Sequence, residues 1–152
     1  MSSQEWRRTI RIGLLVGVVV LLTCMVGMVE AFNERDLIAG ILTLGQVLLF
    51  APALYAGYLA VDQSTTRGPA SALLRGLIAG LCVALPVIGL ILVAGFWTNI
   101  REYFVNISPT LIKTLTFGRG TAAGSLMLAC AMAVLGLLGG ALHLLPVRFC
   151  RP

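Results

Sequence analysis

"GLIAGLCVALPVIGLILVAGFW", residues Gly76–Trp97, contains no charged side chain over 22 positions. A helix rises about 1.5 Å per residue, so this stretch can cross the roughly 30 Å hydrocarbon core of a bilayer. Its apolar residues fall on every helical face. A barrel strand would instead alternate apolar and polar residues over about ten positions. The stretch therefore predicts a membrane-spanning helix, with Pro86 near its middle.

Three further runs read the same way: Ile12–Val29, Leu37–Val61 and Ala122–Leu145. The fold class they predict is all-α integral membrane, with four transmembrane helices over 12–29, 37–61, 76–97 and 122–145. Residues 1–152 form a single membrane domain in this reading. Composition agrees: 59% of residues are hydrophobic and 11% charged, against about 25% charged in soluble domains. The first run is longer than a signal-peptide core, and no A-x-A-like site follows it closely, so it is expected to remain as an anchor.

The net charge is +5, but Lys113 is the sole lysine and the arginines stand at the ends of apolar runs. A nucleic-acid surface needs clustered basic residues, so no nucleic-acid partner is expected. The charges report topology instead. Arg7, Arg8, Arg11, Arg67, Arg75, Arg148 and Arg151 fall on one side with two acids. Arg35, Arg101, Lys113 and Arg119 fall on the other, with Glu30, Glu34, Asp36 and Glu102. The positive-inside rule then puts both termini in the cytoplasm, N-in and C-in. Trp6 and Tyr58 would mark the inner interface, and Trp97 and Tyr103 the outer one.

The connections carry their own signals. In "EAFNERDL" Asn33 is an expected N-cap for the second helix, with Glu34 and Asp36 in its first turn. In "DQSTTRGPAS" Gly68-Pro69 is a turn signal. In "TNIREYFVNISPTLIKTLTFGRG" Ser108-Pro109 reads as a helix start and Gly118 as a stop. Leu111, Ile112 and Leu115 share a face between them, which predicts a short amphipathic helix in the outer loop between helices 3 and 4. Asn106-Ile107-Ser108 fits the N-glycosylation pattern, which is common by chance.

Polar and helix-breaking residues inside the spans are few. Gln46, Pro52 and Pro86 are the candidates for a substrate path, because two bent helices and an amide could line one. The competing reading is one interhelical hydrogen bond and two prolines that shape the bundle. Thr23 and Thr43 can bond back to their own helix. No Asp, Glu, Lys or Arg lies at the centre of any run, which argues against proton-driven or ion-coupled transport. His143 is the sole histidine, and no acid, cysteine or second histidine is placed to make a triad or metal site with it. The cysteines, 24, 82, 130 and 150, are unclustered and read as apolar filler. No P-loop occurs. No enzymatic activity, metal or other cofactor is expected.

Glycine is abundant, at 17 residues, and Gly13/Gly17, Gly76/Gly80 and Gly136/Gly140 form GxxxG pairs in three of the four runs. Such pairs put two glycines on one face and let backbones approach closely. These six are the candidate helix-packing residues.

The stretches "GMVEAFNERDLIAGILTLG" (Gly27–Gly45), "LYAGYLA" (Leu54–Ala60), "SPTLIKTLTFGRG" (Ser108–Gly120) and "LHLLPVRFCRP" (Leu142–Pro152) together resemble the N-terminal membrane region of a permease subunit of the branched-chain amino acid type of ABC importer. The resemblance is to an extended region that, in some members, precedes the transport core. It implies a location in the plasma (inner) membrane and uptake of branched-chain amino acids or similar small polar solutes. It also implies partners: membrane lipid, another permease subunit or the rest of the permease, a separate ATPase subunit and an external substrate-binding protein. Permeases of this kind have more helices than four and a cytoplasmic coupling helix, which nothing in this sequence matches. "RFCRP" is therefore expected to be an internal junction of a longer permease. The alternative is a four-helix accessory or assembly subunit with no transport activity of its own.

Overall fold

The structure, a computed structural model, describes residues 3–32, 35–38, 42–63, 68–96 and 109–144. Helix α1 spans Ser3–Met25, α2 Met28–Ala31, α3 Leu44–Asp62, α4 Pro69–Phe96, α5 Pro109–Leu115 and α6 Thr121–Leu144. Strands β1 (Asp36–Ile38) and β2 (Leu42–Thr43) form a two-stranded antiparallel clip, pairing Asp36 with Thr43 and Ile38 with Leu42. The long helices α1, α3, α4 and α6 are long and apolar enough to cross a membrane. The shortest, α3, has 19 residues and so reaches about 28 Å. Asn33, Glu34, Arg67, Trp97, Arg101, Glu102, Tyr103, the Asn106–Ser108 pattern, Arg148, Cys150 and Arg151 lie outside the described residues.

The helix boundaries correct the sequence reading in three places, one of them the start of α4 at Pro69 rather than Gly76. Helix α1 begins well before Ile12 and ends at Met25 rather than Val29. Gly27 adopts a left-handed backbone (φ 81°) that only glycine takes cheaply, and the short α2 restarts after it. The second span does not start at Leu37. Residues 36–38 are extended, and the helix begins at Leu44, capped by Thr43. Hydropathy is blind to this difference, because an apolar segment serves an extended clip as well as a helix. The cap decides it. Thr43 and Gln46 form a reciprocal capping box: the Gln46 amide N–H donates to Thr43 Oγ1 at 3.2 Å, and Thr43 N–H donates to Gln46 Oε1 at 3.2 Å.

The remaining helix ends follow ordinary rules. Pro69 opens α4, where a missing N–H costs nothing, and the Ser71 hydroxyl donates to the Gly68 carbonyl at 2.7 Å. After α5 the chain turns through Phe117 and Gly118, both at positive φ (54° and 70°), and Gly118 N–H donates to the Lys113 carbonyl at 2.8 Å. Leu111 and Leu115 of α5 are buried, and the Phe117 ring stacks on Phe50 of α3 at 6.2 Å between centroids.

Helices α3 and α4 form the middle pair. Helix α1 packs on one flank of this pair and α6 on the other. Small residues dominate the interior, among them Ala53, Ala56, Ala60, Ala79, Ala84 and Ala94. Large apolar residues face outward: Leu15, Val26 and Leu126 are each more than 60% exposed. A water-soluble bundle would invert this arrangement, whereas lipid solvates large side chains and lets small ones bring helices together.

Candidate functional site

Two features organise the bundle: a seam of glycines through its middle and a set of charged contacts at one end. The seam centres on Gly136 of α6. A Cβ added there would collide with the Gly76 carbonyl and with the backbone of Gly80, both on α4. A Cβ on Gly57 of α3 would collide with the Gly136 carbonyl, and one on Gly139 with the Leu54 carbonyl of α3. Helix α6 thus lies against α3 and α4 backbone to backbone, with no side chain between them. Gly140 extends the contact to Ala72, whose carbonyl a Cβ would approach to 2.9 Å. On the other flank, a Cβ at Gly13 would sit 2.5 Å from Cys82 Cβ and 2.7 Å from the Ala79 carbonyl. At Gly17 it would sit 2.8 Å from the Val83 carbonyl and 3.0 Å from the Pro86 ring. The structure therefore places all six glycines singled out in the sequence on helix–helix seams. It adds Gly57 and Gly139, which GxxxG spacing does not flag because neither has a glycine four residues away on its helix.

The charged end is built from residues near the starts of α1 and α4 and the ends of α3 and α6. Arg75 of α4 is 2% exposed, and its Nη2 lies 2.8 Å from Glu5 Oε2 of α1. Thr9, also buried, donates its hydroxyl to the Glu5 carbonyl at 3.1 Å. A cavity of about 420 Å³ opens beside the pair, with Gln4, Arg8, Thr9 and Gln63 in its walls. At the same end His143 Nε2 of α6 lies 3.3 Å from Asp62 Oδ1 of α3, and the Tyr58 ring is tilted against the imidazole at 5.3 Å. The polar contacts thus join α1 to α4 and α3 to α6.

Sequence reading missed both charged contacts. Arg75 counts there as a loop charge, but α4 begins at Pro69, and the extra seven residues add about 10 Å of helix before Gly76. The arginine is thereby carried into the bundle. The acid that meets His143 is Asp62, 81 residues away in the sequence. The sole sequence signal for either was position: all four groups sit within seven residues of the same ends of their runs.

The three path candidates are not brought together. Gln46 uses its side-chain carbonyl in the capping box at the start of α3. Pro86 packs on Gly17 in the α1–α4 seam. Pro52 lines an apolar cleft of about 470 Å³ between α1 and α3, with Val16, Val19, Ala51 and Tyr55. Among the described residues no group of three or more His, Cys, Asp or Glu side chains could hold a metal ion. Cys24 and Cys82 are buried and Cys130 is exposed, all as free thiols.

No known protein family, curated protein or solved structure matches the chain.

Proposed function

We propose that this chain is a scaffolding membrane module of an ABC-type importer for branched-chain amino acids or similar small polar solutes. In this reading it packs beside the transport core and opens no solute path through its own centre. The observation that carries the scaffolding role is the contact of Gly136 with the backbones of Gly57, Gly76 and Gly80. Alternating access needs helices that separate on each cycle. Helices held backbone to backbone gain dispersion contact that any separation forfeits. The importer assignment rests on the sequence stretches that resemble the permease region. The excess of arginine at the Glu5–Arg75 end supports a cytoplasmic location for that end, with α5 on the outer side. No catalytic role is proposed.

Affinity purification of the tagged chain from the membranes of cells that make it, in mild detergent, tests the assignment. The expected result is recovery with a larger permease polypeptide, covalent or not, and a cytoplasmic ATPase. Recovery with a larger membrane partner and no ATPase would move the chain to the accessory-subunit reading. Amino-acid uptake by proteoliposomes holding this chain alone would overturn the scaffolding role.

A further inference from the structure

The start of α1 carries a surface that the bundle itself does not use. Arg7 and Arg11 stand one turn apart, with Arg8 and Gln4 beside them, around an open groove of about 360 Å³. All three arginines are exposed, and none makes an ion pair among the described residues. A second groove of about 350 Å³ begins at the same Arg7 and Arg11 and runs along Leu14, Leu15 and Val18 with almost wholly apolar walls. The two grooves share those arginines and so form one continuous surface, cationic at its end and apolar along its length.

We propose that this surface is a binding site for one anionic membrane phospholipid. Its phosphate sits among Arg7, Arg8 and Arg11, and an acyl chain lies along Leu14, Leu15 and Val18. Charge complementarity argues for the head: among the described residues the groove wall holds three guanidinium groups and no carboxylate, Glu5 lining the neighbouring cavity that it shares with Arg8. The guanidinium groups present many N–H donors to phosphate oxygens. The apolar half argues for the tail, since a free phosphate would leave it without a role. The position argues for a lipid over a soluble ligand. Arginines that close an apolar span sit at headgroup depth, where anionic lipid is abundant. The proposal needs α1 to lie in a bilayer and is independent of the importer reading.

The test is native mass spectrometry of the purified full chain in neutral detergent. It is titrated with phosphatidylglycerol, with phosphatidylcholine of the same acyl chains, and with glycerol phosphate as a chainless probe. Phosphatidylglycerol should bind with at least about tenfold preference over phosphatidylcholine, and glycerol phosphate should bind far more weakly. In R7Q/R11Q, at exposed positions, the preference should fall to near unity, since each arginine contributes up to about fivefold. In the unaltered chain raised salt should lower it as well. Equal binding of the two lipids, or an undiminished preference in R7Q/R11Q or at high salt, would overturn the proposal. Glycerol phosphate binding as tightly as phosphatidylglycerol would overturn the lipid assignment in favour of a phosphate site.

Discussion

The middle of the bundle and its charged end hold the same four long helices together by opposite means. In the middle, contact is made by the absence of side chains: Gly57, Gly76, Gly80 and Gly136 bring three backbones together. At the end, contact is made by long side chains that reach across, Arg75 to Glu5 and His143 to Asp62. The two respond differently to change. A glycine seam has no slack, because any added atom must displace backbone. A side-chain bridge can adjust, and its cost depends on how deeply its charges are buried. Arg75 is 2% exposed, whereas His143 and Asp62 are 31% and 54% exposed, so the charged end itself contains one strong and one weak contact.

Substitutions can break this comparison, taken from the largest expected effect to the smallest. Glu5→Leu leaves the Arg75 guanidinium buried without this carboxylate and should destabilise the bundle by roughly 3–5 kcal/mol. Adding Arg75→Met should recover most of that loss, because an apolar pair removes the buried charge. Reversible unfolding in mixed detergent micelles reads both, and a double variant no better than Glu5→Leu would contradict the account. Gly57→Leu should cost roughly 3 kcal/mol by overpacking against the Gly136 backbone. The same unfolding assay measures it, and no second-site side-chain trimming on α6 should rescue it, since the obstacle is backbone. Gln46→Ala removes half of the capping box and should cost about 1 kcal/mol, without changing amino-acid uptake by the intact transport system. Lost uptake with unchanged stability would instead put Gln46 in a solute path. His143→Ala breaks a solvent-screened contact and should cost less than about 1 kcal/mol.

Much of the fold is legible in the sequence, because a bilayer imposes a coarse rule of long apolar runs bounded by charge. Gly76–Trp97 alone is enough to place the chain among helical membrane proteins. The packing glycines are legible too, since GxxxG spacing is a local property of one helix. What stays hidden depends on partners or on caps. The start of α3 is signalled by Thr43-x-x-Gln46, a capping-box pattern that lies inside an apolar run and is masked by it. Glu5 and Arg75 are 70 residues apart, and nothing local to either says that they meet. Gly139 lies beside Gly140 but turns to α3 rather than α4, a division of one helix between two neighbours that spacing alone does not reveal.

Helices α3, α4 and α6 touch through glycine backbones, and one pair of substitutions probes that contact against an open position. Gly136 and Gly89 both lie within membrane helices, yet a Cβ at Gly136 collides with α4 backbone while a Cβ at Gly89 meets nothing within 4 Å. The unfolding free energies of Gly136→Ala and Gly89→Ala, measured in the same micelles, should diverge. Gly136→Ala should lose about 2 kcal/mol or more. Gly89→Ala should lose nothing, or gain up to about 1 kcal/mol. Equal effects at the two positions would mean that the helices do not meet through glycine backbones.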